Sequence, residues 1–595
     1  MALLTDISVT INRKPLKNFR NISISQNLYG IDRFVITCRY DALEDLDGFM
    51  IEKSKDFLGL PILIQTKVKV QDEEKDGLSF RGFVTEINST RSGMADYDQV
   101  IISGGSSEII LNRKPVNRAF IDNTLDEIVK EVLKKYELKP NISPRNKNRF
   151  PYIVQFEESD LDFLKRLSIR YGEWCFFNGD EFIFGNLPEN EKALTVGFNL
   201  KDFSYELRVS PVKFKLFSLD PLKIDVYNYT SGNSKLESNL NIYGKHALDR
   251  SLKMYTEEGN DYYEHVNVNE TEYQKGLDQV GETEEASDLV NLSEMTGTST
   301  NGFLAAGIQV KVSCPKKNGK DKLDYGKYII TSVIHEMDNT LAYSNNFSAI
   351  PAETSVPENT NPYFVRTSSN QLGMIEDNDD PKKLGRVKAS FWWMEGKQST
   401  PWIKVTTPYV HKKAGFYFVP AKNSRVLVGF EDGDVEKPYC LGNLFDEDAN
   451  PDPDWAEVGG KGNSLIHAIR TAAGNTIEFH DSGDSEKIHI YDAGNKNEII
   501  LDSGNGELKI KGTEKLKIEA KDIEIKAENG LKIEAGQKME LKTNQLKTDA
   551  QSDYNISGSN VTIKANAALK AEGSATAEIS AGGNLTVKGA LVQIN

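Results

Sequence analysis

Cysteine and histidine are scarce in this sequence. Its 595 residues include four cysteines and seven histidines. The cysteines have no CxxC pair, which argues against a disulfide framework or a thiolate zinc site and predicts buried free thiols at Cys38, Cys175, Cys314 and Cys440. The histidines form no HExxH motif and no three-ligand cluster. The sequence therefore predicts neither a metal site nor a cofactor.

Long apolar runs and an excess of basic residues are also missing. No stretch of about 18 apolar residues occurs, which argues against a membrane-spanning helix. Residues 1–14 lack a basic region followed by an apolar one, so we expect no cleaved signal peptide and synthesis in the cytoplasm. The 88 acidic and 72 basic residues give a net charge of −16, which disfavours nucleic acid as a partner.

A short repeat dominates the end of the chain. From Leu508 onward a pair of apolar residues, spaced two apart, returns every seven or eight residues. The clearest pairs are Leu508 with Ile510, Leu516 with Ile518, Ile523 with Ile525, Leu531 with Ile533, and Met539 with Leu541, and weaker members such as Val561 with Ile563 and Leu585 with Val587 follow. A fixed period this short predicts a solenoid of short strands separated by turns.

The spacing within each pair decides between strand and helix. Residues two apart share one face of a strand but not of a helix, and Gly and Asn recur at the turns, which disfavours a coiled coil. One or two apolar residues per repeat would give a single chain only a thin core. Three chains around one axis would supply a shared core, so the repeat predicts a trimeric rod.

The rod has a different composition at each end. Lys and Glu alternate up to Asp553, whereas Ala, Ser, Thr, Gly and Asn dominate after Tyr554, as expected for a tapering tip. Longer spacings between 475 and 501 predict a shaft that leads into the rod. His480 and His489 lie in this shaft. A ring of three copies could bind a metal there, but a structural role is the interpretation that we favour.

Two upstream regions have different patterns. Residues 384–445 contain short strand-like runs between Gly, Pro and Asp turns and predict a small barrel of the OB kind. Residues 1–350 combine strand-like runs with two helices, one over 123–136 capped by Asp122 or Asn123, and one over 159–171 capped by Ser159. The polar run 264–300 is compatible with a helix or with a mobile segment.

Three motifs carry a resemblance to a known family. The run Gln155 to Leu167, which reads QFEESDLDFLKRL, resembles the Y-x-E-S-D-x-x-F-x-x-R-L segment in the hub domain of VgrG proteins, the fused hub and spike of type VI secretion systems. Gly385-Arg386-Val387, Trp402, the run 415–420 and Glu431 to Asp434 are similar to the family's barrel signature. The run 471–479 resembles its joint into the β-helix.

The resemblance implies a fold that is mainly β with some α. It comprises a phage-hub-like domain of two β-barrels at 1–357, an acidic linker at 358–380, an OB-fold barrel at 381–447, a linker at 448–474, and a triple-stranded β-helix spike at 475–595. It further implies a homotrimer that caps an Hcp-like inner tube, sits among baseplate proteins and penetrates a target membrane transiently.

The family also carries proteins on its tip. Members commonly bear a PAAR-like tip protein or an effector fused beyond the β-helix. Here the terminal strand Val592, Gln593, Ile594 and Asn595 is the predicted docking site for a tip protein, and any secreted effector would be separate cargo. The chain would be cytoplasmic in the producing cell until firing, and then secreted or injected into a target cell.

Other functions stay open at this stage. The same architecture serves phage tails and extracellular contractile injection systems. A cell-wall hydrolase in the hub is an alternative from another class, although residues 446–475 are too few for a lysozyme domain. A trimeric surface adhesin would need an export signal and an anchor. We expect that the chain is not an enzyme and that it acts mechanically.

Overall fold

A computed structural model describes residues 4–17, 19–39, 54–70, 73–90, 99–232, 240–269, 271–316, 321–338, 340, 342–455, 464–481 and 486–594. Strands make up 41% and helices 12% of the chain, which confirms the predicted mainly β class. The chain divides into two compact units, residues 1–458 and residues 459–595. Each unit is described on its own.

The first unit contains the hub elements. Its strands are β1 (Leu4–Ile11), β2 (Lys14–Leu16), β3 (Phe19–Asn27), β4 (Arg33–Arg39), β5 (Pro61–Val70), β6 (Glu73–Thr90), β7 (Gln99–Ser106), β8 (Val116–Thr124), β9 (Lys139–Ser143), β10 (Arg149–Glu158), β11 (Trp174–Phe177), β12 (Glu181–Gly185), β13 (Glu191–Thr195), β14 (Leu200–Leu207), β15 (Phe214–Leu219), β16 (Val226–Thr230), β17 (Gly259–Tyr262), β18 (Ser293–Ser299), β19 (Gln309–Pro315), β20 (Lys322–Asp338) and β21 (Tyr343–Pro351). Its helices are α1 (Leu125–Leu133), α2 (Asp160–Tyr171), α3 (Ile242–Met254) and α4 (Tyr273–Val290).

One large sheet organises the hub. Its strands follow the order β14-β18-β21-β20-β3-β4-β7-β6-β5-β1-β2, and β13 joins through β19, which pairs with β20. Two separate apolar cores lie on this sheet, one around Ile24 and Phe34 and the other around Tyr328 and Phe347. Alternating apolar residues along the strands fill these cores because successive side chains point to opposite faces. A third core packs α1 and α2 against β10, β11 and β12.

Helix α1 begins later than the sequence predicted. Thr124, rather than Asp122 or Asn123, caps the helix, because its hydroxyl accepts from the backbone N–H of Glu127. The carboxylate of Glu127 accepts from the N–H of Thr124 in return, which forms a capping box. Residues up to Thr124 belong to β8, and the helix ends at Leu133 instead of 136.

Helix α2 agrees with its predicted bounds and cap. The hydroxyl of Ser159 accepts from the N–H of Asp162, and Gly172 ends the helix in the left-handed conformation at φ +65°. The family-like run 155–167 thus spans the end of β10, the cap and the first turns of α2. The undecided segment 264–300 contains α4 and β18.

The barrel domain at the end of this unit has an earlier start than predicted. Its strands are β22 (Gln371–Asp377), β23 (Lys388–Phe391), β24 (Val410–His411), β25 (Ala414–Gly415), β26 (Arg425–Phe430) and β27 (Pro438–Asn443). Four of them form a sheet in the order β23-β22-β26-β27, and β24 with β25 form a hairpin. The run 402–405 forms only isolated bridges, from Ile403 to Val387 and from Val405 to Cys440.

The predicted acidic linker 358–380 is therefore wrong in its second half. Strand β22 pairs with β23 and β26 and lies inside the sheet. Asp380 is buried and accepts from the guanidinium of Arg386 at 2.9 and 3.1 Å. This hydrogen bond holds the pKa of Asp380 well below its usual range. Residues 371–380 therefore belong to the barrel and not to a solvated linker.

The second unit is an antiparallel meander followed by a segment without paired strands. The strands are β28 (Ile466–Arg470), β29 (Thr476–His480), β30 (Lys487–Tyr491), β31 (Glu498–Asp502) and β32 (Glu507–Lys511), paired in chain order. Strand β28 falls within the predicted linker 448–474, so the shaft begins before 475. Within the described residues 512–594, no strand pairs with another part of the chain.

Candidate functional site

The shaft sheet has one apolar and one polar face. Two rows of cross-strand neighbours run across the apolar face. One row joins Ile469, Ile477, Ile490, Ile499 and Ile510, and the other joins Phe479, Ile488, Leu501 and Leu508. Cross-strand pairs of this kind stabilise a sheet, but these rows remain half-buried or exposed within the single chain.

The polar face has an extensive hydrogen-bond network of its own. Glu478 accepts from the hydroxyl of Tyr491 at 2.6 Å and contacts Nε2 of His480 at 2.9 Å. Glu498 contacts Nζ of Lys509 at 2.8 Å and Nε2 of His489 at 3.3 Å. The Lys509 ammonium lowers the pKa of Glu498 to about 2. Glu478 and Glu498 are thus both held by partners from the same sheet.

Burial on the two faces is reversed from the usual expectation. Glu478 on the polar face is 7% exposed, whereas Phe479 on the apolar face is 41% exposed. Soluble proteins normally cover aromatic side chains and leave charged ones in water. The apolar face is therefore a surface that the single chain does not cover.

The repeats beyond the shaft have the same property. Every large apolar side chain from Leu508 to Ile594 is exposed, from 47% at Val592 to 91% at Ile594. Exposed Lys and Glu neighbours pair along the segment, as in Lys532 with Glu534 at 2.6 Å. A contiguous exposed apolar surface of this length marks an interaction surface. The apolar pairs predicted from the sequence thus lie on a surface that the single chain leaves exposed.

The predicted docking residues lie at the end of this segment. Val592, Gln593 and Ile594 are all exposed, and Asn595 lies outside the described residues. Neither the strand conformation predicted for them nor a contact to another element is present for the three described residues. Their role in binding a tip protein stays a prediction.

A buried charge cluster connects the hub helix α2 to the barrel domain. Arg166 contacts Glu158 at 2.8 Å and Glu436 at 3.4 Å, and Arg170 contacts Glu436 at 2.6 Å. All four side chains are buried. Glu436 lies in the turn between β26 and β27, so the cluster joins two domains that are far apart in sequence.

A second carboxylate extends this cluster. Asp434 contacts Nδ1 of His265 at 2.9 Å and Arg170 at 3.9 Å. Burial opposes ionisation of Asp434, but the hydrogen bond with His265 and the charge of Arg170 hold the pKa of its carboxyl below the ordinary value. Asn267 donates to Glu436 at 3.0 Å. The buried charges of the cluster are therefore paired with charges of opposite sign, and these pairs hold α2 against the turn between β26 and β27.

A second set of buried polar contacts lies around Asp160, within the signature run 155–167. Asp160 is fully buried and accepts from Nε of Arg113 at 2.8 Å and from the hydroxyl of Tyr136 at 2.5 Å. Arg118 and Gln155 contact the same carboxylate. The run thus combines a helix cap, a core face and two charge anchors. Sequence reasoning identified the run but missed its contact with Glu436, although Glu431 to Asp434 had been singled out nearby.

Among the described residues, no group of three or more His, Cys, Asp or Glu side chains is arranged to hold a metal ion. His480 and His489 each contact a carboxylate of the polar face instead. None of the described helices has the length and apolar character needed to cross a membrane. Cys38, Cys175 and Cys440 are buried free thiols as predicted, whereas Cys314 is partly exposed.

Two family models match this chain. Residues 40–184 match a phage tail baseplate hub model, and residues 371–445 match a model of the injector OB domain of type VI secretion systems and phage baseplates. The first match includes α2 with its signature run. The second begins at β22, in agreement with the observed sheet.

Curated relatives cover much of the same region. The type VI secretion system spike protein VgrG1a of Pseudomonas aeruginosa is 20% identical over 425 residues, which cover 66% of this chain and 64% of that protein. The actin cross-linking toxin VgrG1 of Vibrio cholerae is 22% identical over 376 residues, which cover 57% of this chain and 32% of the toxin. The chain thus spans less than two thirds of each of these relatives.

Solved structures share the fold. A chain of the lidded Francisella PdpA–VgrG complex matches with a TM-score of 0.52 and 11% identity, covering 86% of this chain and 80% of that one. The lidless PdpA–VgrG complex contains a chain that matches with a TM-score of 0.51 and 10% identity, covering 86% of this chain and 99% of that one.

Proposed function

We propose, on the premise that this chain belongs to the VgrG family of spike proteins related to the hub and spike of contractile phage tails, that three copies form the spike of a type VI secretion machine. The hub would cap an Hcp-like inner tube among baseplate proteins. The rod would pass through the target membrane when the machine fires. Its end would carry a PAAR-like tip protein or a secreted effector.

The uncovered apolar rod is the observation that carries this proposal. The two apolar rows of the shaft and the exposed pairs up to Ile594 have no cover within the described part of the chain. Full burial of one Leu or Ile side chain contributes about 1.5–3 kcal/mol, so the repeats together favour assembly strongly. Strands of identical chains bring identical apolar pairs to the same height along a common axis. Three short faces around that axis supply a closed core.

A rod built in this way suits a mechanical task. Hydrogen bonds between chains would replace those that residues 512–594 do not make within one chain. Separating the chains would require breaking many such bonds together, and each buried group left without a partner costs about 1–3 kcal/mol. Contraction of a sheath, rather than chemistry in this chain, would supply the free energy for penetration.

We further propose that the chain acts without catalysis. The matched segments of this chain correspond to a hub and an OB domain, and the match to the Vibrio cholerae toxin covers 32% of that protein. No cross-linking activity is assigned to this chain. It would stay in the cytoplasm of the producing cell until assembly and firing, and would then be secreted or injected.

The oligomeric state tests the proposal directly. Light scattering of the purified full chain should give three times the chain mass of 66.6 kDa. A variant that ends at Lys511 should lose most of the trimer, because it lacks the repeats, while its hub keeps its tryptophan fluorescence. A wild-type chain that is monomeric at micromolar concentration would refute the spike.

Two alternatives remain distinguishable. A spike of a phage tail or an extracellular injection particle would co-purify with a free particle rather than with a cell-bound baseplate. A cell-wall hydrolase in the hub would release soluble fragments from purified peptidoglycan, and we expect no such release from the full chain.

A further inference from the structure

One hairpin of the barrel domain is exposed over its whole length. We define the aromatic arm as residues 408–418, all of which are exposed. Strands β24 and β25 form its tip, and the N–H of Phe416 donates to the carbonyl of Tyr409 at 3.0 Å near its base. Position 415 requires glycine, because its φ is +146° and a Cβ would lie 2.6 Å from the carbonyl oxygen of Tyr409.

The arm is rich in large apolar side chains. Tyr409, Val410, Phe416, Tyr417 and Phe418 are between 51% and 82% exposed. Three of them are consecutive, and consecutive side chains cannot all lie against one surface of the same domain. An element that is apolar on more than one side fits between two surfaces rather than on one.

The barrel does not need the arm for its own core. That core consists of residues such as Ile375, Phe391, Val426 and Val428, and it contains no residue of the arm. The arm is therefore a local structure whose apolar side chains contribute little to folding of the single chain. Exposed apolar clusters of this size are rare unless they bind something.

We propose that the aromatic arm packs against the barrel domain of a neighbouring copy of this chain and stabilises the trimer. The inference rests on the proposed function, because it requires several copies side by side. Strand β27 ends at Asn443 and strand β28 of the shaft begins at Ile466. Copies joined through their rods therefore hold their barrels at a high effective concentration.

Surfaces of the same domain match the arm in chemistry. Leu372, Leu441 and Phe445 of the barrel are exposed apolar residues that could receive aromatic side chains. Lys412 and Lys413 lie at the tip of the arm, and the segment 446–454 of each copy carries five carboxylates. A contact from the arm of one copy to the barrel of the next closes after three copies into a ring.

Photo-crosslinking of the full-length chain tests the contact. Benzoyl-phenylalanine replaces Tyr417, and the chain mass is measured by light scattering in the same sample. After irradiation we expect bands at two and three times the chain mass, with adducts that map to residues 371–455 of another copy. The same probe at Met254, an exposed apolar position on α3, is the control and should give fewer such adducts.

A substitution series provides a second measurement. The triple variant Phe416→Ser, Tyr417→Ser and Phe418→Ser should leave hub and barrel unfolding unchanged and should raise the concentration at which trimers dissociate by at least about tenfold. The variant Met254→Ser should leave that concentration unchanged.

The outcomes separate the arm from the spike. A trimer whose Tyr417 probe reacts only within its own chain overturns the arm contact and leaves the spike intact. A Tyr417 probe that cross-links to anionic phospholipid vesicles, and not to another copy of the chain, also overturns the arm contact. Equal adduct yields at Tyr417 and Met254 have the same consequence. A chain that is monomeric under all conditions removes both the arm contact and the spike.

Discussion

Glu478 and Phe479 are neighbours on one strand, yet the carboxylate is 7% exposed and the aromatic ring is 41% exposed. The carboxylate is covered by Tyr491 and His480 from its own sheet. The ring belongs to an apolar row with Ile488, Leu501 and Leu508 that lacks a cover in the single chain. The polar face of the shaft sheet is thus covered by contacts within the chain, whereas its apolar face is not.

A charge placed in the apolar rows should prevent assembly. Ile490→Asp puts a carboxylate where three chains would bury an isoleucine, and an unpaired buried charge is strongly unfavourable. Light scattering of the full chain should show a shift from trimer to monomer. The control Lys496→Asp changes an exposed turn residue and should leave the trimer unchanged. A trimer that tolerates Ile490→Asp would contradict the placement of this row in the core.

Removal of one charge from the buried cluster should destabilise the first unit. Arg170→Met leaves Glu436 without its contact at 2.6 Å, and loss of one partner of a buried ion pair costs about 3–5 kcal/mol. All five tryptophans lie between Trp174 and Trp455, within residues 1–458, so tryptophan fluorescence in urea follows this unit alone.

The exposed pair of Arg208 with Glu206 supplies the matched control. The two side chains are 2.8 Å apart on the surface, where such a pair contributes about 0–1 kcal/mol. Arg208→Met should therefore change the urea midpoint little. Equal losses for Arg170→Met and Arg208→Met would show that the cluster does not join hub and barrel.

Stability of the first unit should fall as the pH rises. Asp32 is buried. This burial, and to a lesser extent the charge of the nearby Glu108, raises the pKa of its carboxyl to about 8, although Gln26 and Lys165 oppose the shift. Asp32 therefore keeps its proton in the folded chain at pH 5–7, whereas in the unfolded chain it ionises near its ordinary value of about 4. The folded state binds more protons over this range, so each pH unit removes up to about 1.4 kcal/mol.

Asp32→Asn tests this dependence on pH. The amide keeps the acceptor for the N–H of Asn27, which lies 2.9 Å from the carboxylate, and cannot ionise. The urea midpoint, followed by tryptophan fluorescence between pH 5 and 7, should fall less steeply than in the wild type. The exposed control Asp379→Asn should retain the wild-type slope. An unchanged slope in Asp32→Asn would contradict the assignment of the proton to Asp32.

Deletion of the last four residues should separate docking from assembly. Without Val592 to Asn595 the chain keeps the other repeats, so the trimer mass should persist. Binding of a PAAR-like tip protein, measured by co-elution with the trimer, should be lost because the exposed apolar end is gone. Replacement of Lys588 by Gln, close to the deletion, is the control and should retain binding. Undiminished binding by the shortened chain would place the docking site elsewhere.

Local patterns in the sequence predicted the elements that depend on near neighbours. The cap at Ser159 agrees with its predicted position, and strands β29 to β31 lie in the predicted shaft, because caps and alternation depend on residues a few positions apart. The predicted cap of α1, at Asp122 or Asn123, lay one or two residues before the observed cap at Thr124, since three consecutive polar residues could all serve as caps.

Contacts between distant residues were beyond those patterns. Arg166 and Glu436 are 270 residues apart, and no periodicity in either segment indicates that they meet. The strand at 371–377 was missed because the acidic residues around it suggested a solvated linker, whereas Asp380 is in fact neutralised by Arg386. The run 415–420, which overlaps the aromatic arm, was recognised as part of a motif, but its exposure is a property of the folded barrel.

The unpaired repeats also determine how a damaged copy would behave in a cell. Since residues 512–594 contain no strand pairing of their own among the described positions, the quality of each rod depends on all of its members together. A single altered copy, synthesised beside normal ones, would enter mixed trimers and spoil their cores. Mutations in this segment should therefore be genetically dominant, whereas mutations confined to the hub core should be recessive.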